Sequence, residues 1–87
     1  MTNIIKNPKE KIIYNLIKED IEKSGKGYST LSNNKIGFEL KLSPFYVRDR
    51  VISLYKNGFL VCLTNYWDED NNFYHRQLLM GDKTITE

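Results

Sequence analysis

Near the start of the chain, Ile13, Leu16, Ile17 and Ile21 recur at the spacing of one helical face, with Lys9, Lys11, Lys18, Glu19, Glu22 and Lys23 mostly on the other. Asn7-Pro8-Lys9-Glu10 marks the start: Asn7 can cap, Pro8 sits where a missing N–H is harmless, and Glu10 has capping-box spacing. Helix 1 is therefore expected over residues 7–24, with Gly25-Lys26-Gly27-Tyr28 as a connector. Helix 2 is expected over 32–41, with Ser32 as cap, Leu31 packing on Ile36 as a hydrophobic staple, and Ile36 and Leu40 on the buried face. Ser43-Pro44 opens a third helix over 43–57, closed by Asn57-Gly58. On it Val47, Val51 and Leu54 cluster within about 60° of one another, while Phe45, Arg48, Asp49, Ile52 and Lys56 point away from them.

From Phe59 the period changes to two, which predicts a β-hairpin over 59–80 folded about the acidic Asp68-Glu69-Asp70-Asn71-Asn72 turn. Folding at Asp70 pairs Trp67 with Phe73 and Tyr66 with Tyr74, and places Leu60, Cys62, Leu78 and Met80 on one face. Residues 81–87 are polar and expected to fray. The result is a single α+β domain over 1–87, three helices followed by a two-stranded hairpin.

Composition narrows the functional classes. With 87 residues, most of the aliphatic side chains are needed for one core, which leaves little for a deep active-site cavity. The single cysteine, Cys62, allows no internal disulfide and no multi-cysteine zinc site. His75, the lone histidine, falls on the opposite face of the hairpin from Cys62, so the two form no nucleophilic pair. The acidic turn lacks the glycine and distal glutamate of a calcium loop, and Gly25-Lys26-Gly27 lacks the spacing of a phosphate loop. No enzyme activity, metal, cofactor or small-molecule substrate is expected. Neither a signal peptide nor a membrane span is apparent, so a cytoplasmic location is expected.

The net charge is only +2, but its distribution is uneven: residues 25–60 carry six cations against Glu39 and Asp49, and residues 61–87 carry two against five acids. Lysine outnumbers arginine ten to three, and Asn and Ile each occur nine times, as AT-rich codons of a low-GC bacterium, plasmid or phage would give.

The run from Leu31-Ser32 through Leu42-Ser43-Pro44-Phe45-Tyr46-Val47-Arg48 to Leu54-Tyr55-Lys56-Asn57-Gly58-Phe59-Leu60 resembles the winged helix-turn-helix domains of bacterial transcription regulators and of phage or plasmid replication proteins. The resemblance is strong over about a third of the chain and loose over nearly all of it. It implies a winged helix-turn-helix whose third helix enters the major groove of double-stranded DNA. On that reading Arg48 pairs with guanine, Asp49 accepts from cytosine, Phe45 or Ile52 meets a thymine methyl, and Tyr46, grouped with these base readers, is also placed to reach a phosphate at the helix entry. Ser32, Asn34, Lys35, Lys41 and Ser43 would hold phosphates.

The chain departs from the family in several places. Gly37 and Lys41 stand where Ala and Gly are more usual, which implies a tight turn between helices 2 and 3; Arg50, at the edge of the buried face, must reach solvent or pair with an acid. The Asp68-Glu69-Asp70 tip should be repelled by phosphate, unlike a basic wing. Transcription regulation or accessory replication is the expected role, with a homodimer because one such domain makes few contacts. The alternative is a protein-interaction module, a mobile-element inhibitor or adaptor, that docks its partner on Tyr66, Trp67, Phe73 and Tyr74. Those aromatics also have a plainer use as cross-strand pairs that hold the hairpin.

Overall fold

A computed structural model describes residues 4–83, apart from the side chain of Phe73. Three helices, α1 (Pro8–Ser24), α2 (Asn33–Leu40) and α3 (Pro44–Lys56), precede an antiparallel hairpin of β1 (Leu60–Asp68) and β2 (Phe73–Met80). Each helix begins at the predicted cap. The Asn7 side chain accepts from the N–H of Lys9 and Glu10, Ser32 from Lys35, and Ser43 from Phe45. Left-handed Gly25 ends α1 and left-handed Lys41 ends α2.

The turn between α2 and α3 is as tight as Gly37 and Lys41 imply. A β-carbon on Gly37 would lie 2.5 Å from the Leu42 carbonyl oxygen, and the Leu42 N–H donates back to the Gly37 carbonyl. Lys41 accepts a φ of 58° to complete it. With the turn this short, the exposed first turn of α3 stands close to the start of α2.

The core forms where the three helices meet the base of the hairpin. Ile13, Tyr14 and Ile17 of α1 pack with Ile36 of α2, with Val47, Val51 and Leu54 of α3, and with Phe59, Leu60 and Leu78. Tyr14 meets Phe59 edge-on at 6.0 Å. Arg50 pairs with an acid, its guanidinium 3.8 Å from the Glu10 carboxylate across α1 and α3.

Three features differ from the sequence reading. Just beyond the connector over residues 25–28, Ser29, to which the sequence pattern assigns no element, is fully buried, exchanges both backbone hydrogen bonds with Leu78 and adds a one-residue bridge to the free side of β2. Residues 81–83 are not frayed, because the Gly81 N–H donates to the Phe59 carbonyl and the Lys83 N–H to the Gly58 carbonyl; residues 84–87 lie outside the described residues. Most consequential is the hairpin register. Leu60 faces Met80 and Cys62 faces Leu78 as expected, but an irregularity between Cys62 and Thr64 leaves Leu63 unpaired and shifts everything beyond it by one residue. Trp67 is thus opposite Tyr74 instead of Phe73, and Tyr66 opposite His75 instead of Tyr74.

Candidate nucleic-acid interface

The irregularity at Leu63 decides which aromatic side chains face the helices. Side chains alternate along a strand, so an extra residue exchanges the two faces from that point on. Beyond Leu63, Asn65 and Trp67 join the face that carries Cys62, together with Tyr74, Arg76 and Leu78 of β2. Tyr66 moves to the other face, where its ring stacks on His75 at 4.8 Å with 19° between planes. Cys62 and His75 remain on opposite faces, and burial raises the Cys62 pKa, keeping it a thiol.

The first turns of α2 and α3 and the inward face of the outer hairpin enclose a groove of about 460 Å³. Phe45 and Arg48 come from α3, Ser32, Asn33 and Asn34 from the start of α2, and Trp67, Tyr74 and Arg76 from the hairpin. The groove therefore gathers two groups that the sequence had assigned to different partners. A narrower crevice of about 130 Å³ continues from it between α3 and the hairpin, where Ile52 faces Cys62 and Asn65.

The predicted base-reading residues separate. Phe45 is 70% exposed, and the Arg48 guanidinium lies 5.5 Å from its ring while both Nε and Nη2 reach the Asp49 carboxylate at 3.4 Å. Phe45, Arg48 and Asp49 thus form one exposed cluster on α3. Tyr46 is not brought to it. Its ring packs on the core, its hydroxyl reaches the Asn7 side chain at 3.4 Å, and Lys9 and Arg50 lie over its faces at 5.7 and 5.8 Å, which makes it a contact between α1 and α3.

Of the residues assigned to phosphate, Lys35 and Lys41 are exposed on α2 and at its end. The Ser32 and Ser43 oxygens already accept the capping N–H groups, which leaves each hydroxyl hydrogen to donate. Asn34 lines the groove beside Ser32. Among the four hairpin aromatics, Trp67 and Tyr74 face the groove, Tyr66 does not, and the Phe73 side chain lies outside the described residues.

Arg76 was missed by the sequence reading. Only 7% exposed, its guanidinium donates to the Leu31 carbonyl and to the Asn33 side-chain oxygen, which ties β2 to the start of α2. Its Nε is buried without a hydrogen-bond partner, and burial lowers its pKa. No carboxylate of the described residues lies within ion-pairing distance of it. A signal was present: Arg76 stands two residues before Leu78, on the strand face that alternation assigns to the core.

The acidic tip is organised around Asp68. Its carboxylate accepts from the N–H groups of Asp70 and Asn71 and from the Asn71 side chain, and it lies 3.2 Å from His75 Nε2. The Asn71 bonds above all hold its pKa below the ordinary carboxylate value.

The described residues contain no group of three or more metal-ligating side chains of the His, Cys, Asp and Glu type, and no helix long and apolar enough to cross a membrane. No family model, no curated protein and no solved structure matches the chain.

Proposed function

We propose that this chain is a winged-helix domain that binds double-stranded DNA in a sequence-dependent way, presenting the first turns of α3 to the major groove. The observation that carries the reading is the division of α3 into two faces. Val47, Val51 and Leu54 are buried and fix the helix, while Phe45, Arg48 and Asp49 stand exposed together on its outer side. A rigid helix with an exposed arginine and aromatic side chain is suited to base edges, where arginine can donate two hydrogen bonds to guanine. The Ser29–Leu78 bridge ties the segment between α1 and α2 to β2 and so holds the hairpin against the helices. Lys35 and Lys41 supply charge for the backbone beside that helix. Within this reading the acidic tip stays away from phosphate, and the role is that of a small regulator or accessory replication protein acting as a homodimer.

A second reading, a protein-docking module, draws on the apolar side chains that the hairpin leaves exposed, Val61 and Leu63 among them, together with its acidic tip. Fluorescence anisotropy with a mixed-sequence duplex across a salt series separates the two. DNA recognition predicts a steep fall of affinity with salt, and loss of sequence preference in Arg48→Ala exceeding that in Lys41→Ala. Absence of duplex binding at low salt would refute the DNA reading and favour a protein partner.

A further inference from the structure

The groove beside α3 has a composition that reading a duplex does not require. Trp67 and Tyr74 line it from the hairpin at 51% and 44% exposure, together with Phe45 of α3. Among the described residues, neither Trp67 nor Tyr74 is stacked on another ring. Its volume lies within the roughly 300–1,000 Å³ of ordinary small-ligand sites. Arg48 and Arg76 are the charged residues of its lining, and no acid lines it; Asp49, the acid paired with Arg48, is not part of the wall.

Arg76 is the second, independent indication of a ligand. A buried guanidinium stays protonated and carries a desolvation cost that neutral acceptors meet only in part. Here those acceptors are the Leu31 carbonyl and the Asn33 amide oxygen, and the buried Nε has none. The floor of the groove is therefore positive, without a carboxylate to neutralise it. At the start of α2, the N–H groups of Asn33 and Asn34 precede the first intrahelical donor, while Ser32 caps only Lys35. An anion in the groove would meet the Arg48 guanidinium and these N–H groups, with the buried charge of Arg76 beneath them.

We propose that this groove holds one unpaired nucleotide of a DNA strand, its base against Trp67, Tyr74 and Phe45 and its phosphate before Arg48 and the start of α2. Flat aromatic faces with adjacent cations are the common chemistry of single-strand sites. An acidic peptide would use the arginines but leave three aromatic faces without a matched partner, so a nucleotide uses more of what the groove presents. This goes beyond the duplex reading: it shares Phe45 and Arg48 with it, but Trp67 and Tyr74 of the hairpin have no part in reading base edges, so the two readings are tested separately.

Trp67 is the only tryptophan of the chain, so its emission reports on the groove directly. Titrating the intact protein with a short oligothymidylate should quench that emission. The salt slope should be shallow, about 0.7 per phosphate engaged. Tyr74→Leu should weaken oligothymidylate about tenfold or more, and leave duplex affinity unchanged. Phe45→Ala, at an exposed position outside the core, provides a second variant whose fold is not at risk, and it should weaken the oligonucleotide by a similar factor. If oligothymidylate fails to quench at low salt, or if both variants bind it as the parent does, the inference is overturned, whatever the duplex does. Quenching of equal strength by polyglutamate would also overturn it, and would assign the groove to an acidic protein. Quenching without duplex binding would sustain this site while refuting the duplex reading.

Discussion

The hairpin has two halves held by different forces. At its base, Leu60, Leu78, Cys62 and Met80 pack against the helical core, and the pairing follows the alternation of apolar residues. Beyond Leu63 there is no such core. The outer half is held by polar contacts, Thr64 to Gln77, Tyr74 to Asn65, and Asp68 to His75 and Asn71, and by the stack of Tyr66 on His75. Register is strongly specified only where one face is buried, so the base tolerates no slip while the outer half is free to take up an extra residue. That extra residue puts Trp67, and not Tyr66, beside α3.

The largest effect is expected from breaking the base. Leu78 is fully buried and also forms the bridge to Ser29, so Leu78→Ala should cost about 2–5 kcal/mol, measured by chemical denaturation. In a domain this small, that is a large share of the total stability. A loss below about 1 kcal/mol would show that the base is not the anchor.

Closing the base from its other end, Gly81 leaves no room for a side chain. A β-carbon there would stand 2.2 Å from the Gly58 carbonyl oxygen, which is backbone and cannot turn aside. Gly81→Ala should therefore destabilise by about 1–3 kcal/mol and disturb the Gly58–Lys83 hydrogen bond. Exchange of the Lys83 amide, followed by NMR, reads that bond locally.

At the junction of the two halves, Arg76→Met separates structure from binding. The substitution deprives the Leu31 carbonyl and Asn33 of their donor, yet it also removes a buried charge. These effects oppose each other, and water can enter from the groove, so a net cost of about 1 kcal/mol is expected. Loss of nucleotide binding should be much larger than that cost accounts for. Equal losses in stability and binding would make Arg76 a structural tie alone.

The sequence was most legible where a local rule and the core agreed. Asn7, Ser32 and Ser43 each precede a helix with its apolar face in register, and the helix starts follow. Val47, Val51 and Leu54 likewise mark the buried face of α3, so its exposed residues could be named. Tyr46 escaped because its place depends on Asn7 and Arg50, which only the packing of α1 against α3 brings near. The groove escaped because it needs the register shift at Leu63, and no residue type there announces an unpaired position. Ser29 was illegible for a related reason, since a one-residue bridge has no period to read.

The smallest effect belongs to the tip, where pH can act on one half of the hairpin without touching the other. Asp68 has its folded pKa lowered from the ordinary 3.8, first by its bonds to Asn71 and with smaller help from His75 and Asp70. A lowered carboxylate pKa means that the ionised form is the one favoured by folding. Its contribution is fully present above the ordinary value and is lost as pH falls from there through the depressed one. Protection of the Asp70 and Asn71 amides, whose N–H groups donate to Asp68, relative to the intrinsic exchange rate at each pH should fall across that acidic interval while the Leu78 amide remains protected. Asp68→Asn should remove most of this pH step, because an amide does not titrate there. Simultaneous loss of protection at Leu78 would mean that the two halves melt as one unit, and that the polar half derives its order from the core after all.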